Sequence, residues 1–317
     1  MKTQLIALGS TLAAVAVAVA ATVSLHSGAG HPAPALGPAQ AAPTGPVNIP
    51  AEIAGVVSDN LTAFDSTCGC HPNVAVHYAR WGDPPASSRK LAAAMAAAGA
   101  SPMLEISPTG TTLSAVTADR TDTWLRSYAL MVRSLKISVL MSFAPEANGN
   151  WYPWGWTHVQ PAAEVAAWRH VVTVFRQAGA ANARWVWIVN QTWPGAGPLP
   201  KLWPGPAYVD MIGIDGYFRK ASDTFGSVFV PTITAVRRFA PGTPLLVTET
   251  GASPQAGKAR AVRELAGGAR RYRLDGFVWF DIDQGPTGPS HSDWSLEHAP
   301  AALAEYRQDV VTTTKTR

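Results

Sequence analysis

The chain has 317 residues, of which 47% are hydrophobic, and a formal net charge of +4. This composition is that of an ordinary globular protein, and the scattered basic residues argue against a nucleic-acid-binding surface. Residues 1–25 carry an early lysine and continue as an uncharged run rich in alanine and valine. Such a run predicts a signal peptide or a membrane anchor. We expect cleavage and a secreted, extracellular protein, with membrane attachment through residues 5–25 if the segment is retained.

Residues 26–49 repeat proline, alanine and glycine, a composition typical of a flexible linker. Residues 50–317 remain, and their number suits a single barrel domain of the usual size of about 250 residues. A monomer is the default expectation for this domain.

Eight short apolar runs alternate with helical patterns from residue 52 onward. Strict alternation predicts an α/β fold whose strands close into a single (β/α)8 TIM barrel, rather than a doubly wound sheet. The predicted strands are Ile53–Val57, Val74–Tyr78, Met103–Ile106, Val139–Phe143, Trp185–Val189, Tyr208–Ile214, Leu245–Thr248 and Gly276–Phe280. The predicted helices are Ser87–Ala98, Ala118–Leu135, Ala162–Ala178, Thr224–Arg238, Gly257–Tyr272 and Pro300–Val311.

Two glutamates stand at the ends of apolar runs. Glu146 ends the run that begins at Ile137, and Glu249 ends the run that begins at Pro244. Their separation fits three βα units, which places them after strands four and seven of one barrel. Catalytic residues of such barrels collect at the carboxyl ends of the strands. Enzymes that cleave a glycosidic bond usually need two carboxyl groups, and this rim has them.

Four aromatic residues follow within the six positions Trp151–Trp156, where glycine and proline exclude a helix. We expect them in a loop over a cleft, because flat ring faces suit the C–H faces of sugar rings. Asn148, just before these aromatic residues, has a side-chain amide that can hydrogen-bond sugar hydroxyl groups. The alternative is that the tryptophans plug the top of the barrel.

Phe143–Gly155 reads Phe-Ala-Pro-Glu-Ala-Asn-Gly-Asn-Trp-Tyr-Pro-Trp-Gly and resembles the acid/base motif of glycoside hydrolase family 26. Thr248–Gly251 resembles the nucleophile motif of that family, and Ile214–Tyr217 its sixth-strand motif. Trp185–Asn190 and Val278–Asp281 resemble its fifth and eighth strands. The family consists mainly of endo-β-mannanases, with some β-glucanases and xylanases.

The resemblance implies that Glu146 is the general acid/base and Glu249 the nucleophile of a retaining reaction, in which the two carboxyl groups lie about 5–5.5 Å apart. It also implies that Tyr217 hydrogen-bonds the nucleophile and that Trp151 and Trp279 are platforms beside the cleaved sugar. The predicted substrate-binding residues are Trp151, Trp154, Tyr217, Trp279 and Asn148. This reaction needs no metal ion and no organic cofactor, and the expected partner is a polysaccharide.

Pro145 departs from the family, which usually has a histidine immediately before the acid/base glutamate. Proline cannot donate a hydrogen bond, so this position bears on substrate choice. We predict an exported retaining endo-β-glycanase with β-mannan as the first substrate, and a β-glucan or xylan as the alternative. Two further alternatives are a catalytically silent carbohydrate-binding pseudoenzyme and a structural protein tethered to the cell surface.

Two other features suggest sites. Cys68 and Cys70 could form a metal cluster, a tight disulfide or two free thiols; the spacing matches no zinc pattern, so we predict no metal there. Glu105 ends the predicted third strand and is a third rim carboxylate. For Glu105 we favour a structural role, as the partner of an arginine or a hydroxyl group.

Overall fold

The structure is a computed structural model that describes residues 50, 52–118, 122–285 and 292–315. The predicted signal or anchor segment and the predicted linker lie outside these residues. In the described ranges, no helix is both long enough and apolar enough to cross a membrane.

Eight parallel strands form a closed barrel in which each strand pairs with its neighbours in chain order. The strands are β1 (Ile53–Val57), β2 (Val74–Arg80), β3 (Ser101–Ser107), β4 (Val139–Phe143), β5 (Ala183–Asn190), β6 (Met211–Asp215), β7 (Leu245–Thr250) and β8 (Gly276–Phe280). The barrel closes where β1 pairs with β8, with Ile53 opposite Gly276. The predicted (β/α)8 fold is confirmed.

Helices connect the strands and cover the outside of the barrel. They are α1 (Leu61–Cys68), α2 (Pro85–Ala97), α3 (Leu113–Thr117), α4 (Asp122–Leu135), α5 (Pro161–Gln177), α6 (Leu199–Leu202), α7 (Phe225–Val228), α8 (Val230–Phe239), α9 (Lys258–Tyr272) and α10 (Pro300–Lys315). On α5, Trp168, Val172 and Phe175 recur at helical spacing and are buried. Such a stripe packs a helix onto the sheet.

Side chains along each strand alternate between two hydrophobic cores. On β8, Val278 and Phe280 belong to the core inside the barrel, whereas Trp279 belongs to the core between strands and helices. On β2, Val76 lies inside the barrel, so the next alternate residue, Tyr78, lies at the rim. This alternation brings the inward side chains at the carboxyl ends of all strands onto one rim.

Several elements differ from the prediction, which omitted the short helices α3 and α6. The prediction omitted α1, although Asn60 is a good N-cap whose side chain accepts a backbone hydrogen bond at 3.1 Å. The helix predicted over residues 224–238 is split into α7 and α8, because Pro231 has no N–H to continue the helical bonding across the junction. The predicted sixth strand begins only at Met211, since Tyr208 lies in a bend.

Cys68 and Cys70 form a disulfide, with their Cα atoms 5.1 Å apart. Gly69 between them has φ 60° and caps α1 through a hydrogen bond to the carbonyl of Asp65 at 2.8 Å. Glycine adopts this left-handed conformation without the clash that a Cβ atom would cause. Of the three alternatives for these cysteines, the structure has the disulfide, which leaves neither sulfur free to bind a metal.

Candidate active site

The turn after β4 carries Glu146 and is bonded to the backbone of both neighbouring strands. The N–H of Ala144 donates to the carbonyl of Ile106 on β3, and the N–H of Glu146 donates to the carbonyl of Ile188 on β5, each at 3.0 Å. Ala144 and Glu146 have left-handed backbone, with φ 47° and 57°, which costs roughly 1–2 kcal/mol per residue. The bonds to two strands hold the turn in this conformation and so fix where the Glu146 side chain projects.

Pro145 lies between these two residues, where the resemblance leads us to expect histidine. Its carbonyl accepts a hydrogen bond from Nε1 of Trp154 at 2.8 Å. The turn is therefore held on both sides of Pro145 and at its carbonyl, without a hydrogen bond from the side chain at position 145.

Both oxygens of the Glu146 carboxyl accept hydrogen bonds. Nε1 of Trp151 donates to Oε2 at 2.8 Å, and Nδ2 of Asn190 donates to Oε1. Burial and then the negative charge of Glu249 raise the pKa of Glu146, whereas these hydrogen bonds lower it, and the pKa stands at about 7. Near neutral pH, Glu146 can therefore both give and accept a proton, as a general acid/base must.

Glu249 lies near the end of β7 and accepts hydrogen bonds from two phenols. Tyr217, just after β6, donates to Oε1, and Tyr78 on β2 donates to Oε2. Burial raises the pKa of Glu249 above its ordinary value, and the bonds from Tyr217 and Tyr78 offset part of that rise. Two donors thus favour the ionised carboxylate, which is the form that a nucleophile needs.

Two further carboxyl groups lie on the same rim, Glu105 on β3 and Asp215 at the end of β6. They are 3% and 4% exposed. Burial raises the pKa of each well above its ordinary range, and the charges of Glu146 and Glu249 raise both further. Asp215 also accepts a hydrogen bond from Oγ1 of Thr248 at 2.6 Å. Three of these four acidic groups are buried and Glu249 is half-buried. Acidic groups that raise one another's pKa in this way do not all ionise, so the rim holds protons near neutral pH.

The aromatic segment forms turns at this rim, as the sequence predicts. Trp151 is half-buried, and its ring stacks on Trp193 from the loop after β5, with the ring centroids 5.3 Å apart. The pair brings two indoles together beside Glu146, which Trp151 contacts directly. Aromatic faces of this kind suit sugar rings.

Two of the predicted substrate-binding tryptophans are buried. Trp154 is 4% exposed, and its ring stacks on Tyr152 at 4.3 Å between centroids. Trp279 is completely buried, and its Nε1 donates to the carbonyl of Trp294 at 2.9 Å. In this structure neither ring offers a free face to a sugar, and their role in substrate binding stays a prediction.

Asn148 hydrogen-bonds the turn after β4 to β5. Its Oδ1 accepts the N–H of Asn190 and its Nδ2 donates to the carbonyl of the same residue, both at 2.8 Å. Asn148 is fully buried. Its amide therefore positions Asn190, which donates to Glu146, and a direct contact of Asn148 with substrate stays a prediction.

The structure brings Glu146, Glu249, Tyr217 and Trp151 to one rim, and it adds residues that the sequence analysis did not select. Tyr78 is the clearest of these, because its ring is 43% exposed and its hydroxyl bonds the predicted nucleophile. The sequence contains a signal for Tyr78, because every second residue of β2 points into the barrel and this alternation brings Tyr78 to the rim. The other additions are Asn190, Trp193 and Asp215.

One group of possible metal ligands lies in the described part of the chain, away from these glutamates in sequence. Asp283, Asp293 and His298 place ligand atoms within 4.8 Å of one another. Nζ of Lys258 lies 3.3 Å from Oδ2 of Asp293, and Nδ1 of His298 lies 3.1 Å from the same oxygen. Because the lysine already supplies a positive charge, we interpret the group as an ion-pair cluster.

The rim of this (β/α)8 barrel carries one carboxyl group that can exchange a proton and another that is hydrogen-bonded by two phenols. Glycoside hydrolases use such a pair of carboxyl groups, and this enzyme belongs to that class. The model of glycosyl hydrolase family 26 matches residues 44–252, which is more than half of the chain. The chain belongs to this family, as its motifs predict.

Known relatives agree with this membership. Endoglucanase H of Acetivibrio thermocellus is 33% identical over an alignment of 180 residues, which covers 52% of this chain and 19% of that protein. The matched region is thus only a small part of the length of this relative. A GH26 β-mannanase from Bacteroides ovatus has a similar fold, with a TM-score of 0.63 and 18% identity over 79% of this chain and 82% of that one. The catalytic domain of an endo-β-1,4-mannanase from Bacillus sp. JAMB-750 gives a TM-score of 0.61 and 17% identity over 84% and 83% of the two chains.

Proposed function

We propose that this glycoside hydrolase is an exported, retaining endo-β-glycanase with Glu249 as nucleophile and Glu146 as acid/base. The observation that carries the proposal is the contrast between these two carboxyl groups. Glu249 is bonded by two phenols that favour its ionised form, whereas the pKa of Glu146 is about 7, so that Glu146 keeps a proton below neutral pH. A retaining reaction needs this division of roles.

The first step forms a glycosyl-enzyme. An oxygen of Glu249 attacks the anomeric carbon while Glu146 gives its proton to the glycosidic oxygen, and the bond from the anomeric carbon to the leaving sugar breaks.

The second step is hydrolysis. Once Glu249 is esterified its charge is gone, and that charge is one of the causes that raise the pKa of Glu146. The pKa of Glu146 therefore falls, and its carboxylate takes a proton from water. The water oxygen bonds to the anomeric carbon, the ester bond breaks, and Glu249 returns as a carboxylate.

The proposed substrate is β-mannan, because two GH26 enzymes of similar fold, from Bacteroides ovatus and Bacillus sp. JAMB-750, are described as mannanases. A β-glucan is the second candidate, and two observations favour it: the 33% identity with Endoglucanase H and Pro145 at the position where the family usually has histidine. Mannose and glucose differ in the orientation of the hydroxyl at C2. The choice therefore depends on the groups around the sugar that bonds to Glu249.

Export fits a polymer substrate, which is too large to enter a cell. The disulfide between Cys68 and Cys70 supports export, since disulfides persist mainly in oxidising compartments. The predicted signal segment supports it as well. We propose that the enzyme acts on its polysaccharide outside the cell as a monomer.

Reducing-sugar release by the purified protein tests the proposal. The panel is galactomannan, glucomannan, barley β-glucan, xylan and curdlan, with Glu249→Ala as the inactive variant. Glu305→Ala is the matched control, because Glu305 on α10 forms a surface ion pair with Arg263 at 2.7 Å. We expect release from one polymer by wild type and by Glu305→Ala, and none by Glu249→Ala. Wild-type turnover in Glu249→Ala would refute the assignment, and the preferred polymer decides between mannan and glucan.

Proton NMR of freshly released ends tests retention. A retaining enzyme gives the β anomer first, which then mutarotates, and initial release of the α anomer would exclude the ester intermediate.

A further inference from the structure

Glu105 is the rim carboxyl to which the reaction above gives no role. It lies on β3, two residues beyond Met103, and Met103 belongs to the core inside the barrel. The two-residue repeat of a strand therefore points Glu105 inward as well. Its register partners are Tyr78 on β2 and Ser142 on β4, so it stands on the side of the rim that supplies a phenol to Glu249.

The Glu105 carboxyl has no hydrogen-bond or ion-pair partner among the described residues, although the residue is 3% exposed. The structural role favoured from the sequence, as the partner of an arginine or a protein hydroxyl, is therefore absent from this part of the chain. Glu164 on α5 is a useful contrast, because it is also buried without a partner and both of its oxygens are sealed from solvent. The oxygens of Glu105 are not sealed in this way, and on an inward-pointing rim residue the accessible area faces the cleft.

Glu105 also interacts electrostatically with the reacting groups. After burial, the charge of Glu249 and then that of Glu146 raise the pKa of Glu105. The charge of Glu105 in turn raises the pKa of Tyr78 and of Tyr152. Glu105 therefore lies within reach of both catalytic carboxyls and of the aromatic residues around them.

We propose that Glu105 binds a hydroxyl group of the sugar ring that becomes bonded to Glu249, an inference that rests on the function proposed above. A buried carboxyl without a partner is costly, and a ligand that supplies the partner removes that cost. The ring seated on Glu249 carries hydroxyl groups around its edge. A hydroxyl both donates and accepts hydrogen bonds, so it matches Glu105 whether the carboxyl holds a proton or not.

Kinetics of Glu105→Ala and Glu105→Gln test this inference, measured on the polymer that wild type hydrolyses fastest. We expect kcat/KM of Glu105→Ala to fall roughly 10- to 100-fold, the range for a lost hydrogen bond to a charged group. Glu105→Gln should lose less, because an amide still hydrogen-bonds a hydroxyl. Glu164→Gln is the matched control: the same substitution at a sealed carboxyl outside the barrel should leave kcat/KM unchanged.

Melting temperatures separate binding from a structural role. Because Glu105 has no partner to lose, both Glu105 variants should melt at or above the wild-type temperature, and a large fall in melting temperature would overturn the inference. So would wild-type kcat/KM in Glu105→Ala while Glu249→Ala is inactive. A shift of the pH profile without any loss of activity at the optimum pH would also overturn the inference. Glu105 would then act only by changing the pKa of neighbouring groups. Full activity of Glu249→Ala would instead overturn the proposed function and the inference together.

Discussion

The hydrogen bond from Trp151 to Glu146 can be removed with little change of shape. Trp151→Phe keeps an aromatic ring against Trp193 but has no N–H to donate to Oε2 of Glu146. That bond lowers the pKa of Glu146. Its loss should therefore raise the pKa of the acid above about 7 and move the alkaline limb of kcat/KM, which reports the acid of the free enzyme, to higher pH.

The size of the shift follows from the strength of the bond. A hydrogen bond to a charged group contributes about 1.5–3 kcal/mol, and about 1.4 kcal/mol corresponds to one pH unit. Since Asn190 still bonds Glu146, we expect a shift of about one pH unit. With a pKa of about 7, wild-type kcat/KM should fall about 10-fold between pH 6 and 8. In Trp151→Phe the fall over the same interval should be about twofold.

The assay is initial reducing-sugar release at low substrate concentration from pH 5 to 9. Trp193→Phe is the control, because Trp193 stacks on Trp151 while the bond to Glu146 comes from Trp151. Its alkaline limb should stay at the wild-type position. An alkaline limb of Trp151→Phe at or below the wild-type pH would refute the reasoning.

Three further predictions concern Tyr78, Glu164 and Gly268. Tyr78→Phe removes one of the two donors that lower the pKa of the nucleophile, so the acid limb of kcat/KM should move up by about one pH unit; an unmoved limb would contradict this. Burial raises the pKa of Glu164 from 4.5 to about 8, so its contribution to folding stability is present at low pH and is lost as pH rises through this range. In urea unfolding, Glu164→Gln should match wild type near pH 4.5 and be more stable by roughly 3–5 kcal/mol near pH 8.5, and equal stability there would argue against a buried charge. In Gly268→Ala the new Cβ would lie 2.1 Å from Phe225, whereas in Gly267→Ala it meets nothing within 4 Å. Thermal unfolding should show a loss of about 1–3 kcal/mol for the first variant and none for the second.

The strands and the two rim glutamates were predictable because the signals are local. A buried parallel strand is a short apolar run, and the residue at its end lies on the rim of the barrel whatever its partners are. Glu146 and Glu249 were found in this way. Their roles follow from the resemblance of the residues around them and stay predictions until the variants are measured.

The partners of these glutamates were harder to predict because they come from distant strands. Tyr78 and Glu249 are 171 positions apart in the chain, and β2 does not pair with β7. Periodicity places Tyr78 on the inner face, but only the closed barrel brings its hydroxyl to Glu249. Composition also does not predict which tryptophan side chains are exposed. Trp151 and Trp154 belong to one aromatic segment, yet Trp151 is half-buried and Trp154 is packed under the loop.

The turn that carries Glu146 is held by main-chain hydrogen bonds from Ala144 to β3 and from Glu146 to β5. Main-chain bonds do not depend on which side chain stands between them. Position 145 can therefore change chemically while Glu146 stays in place, provided that the new residue fits the space occupied by Pro145. For protein engineering, residue 145 is thus a position that a single substitution can vary while the main-chain bonds that place Glu146 are kept.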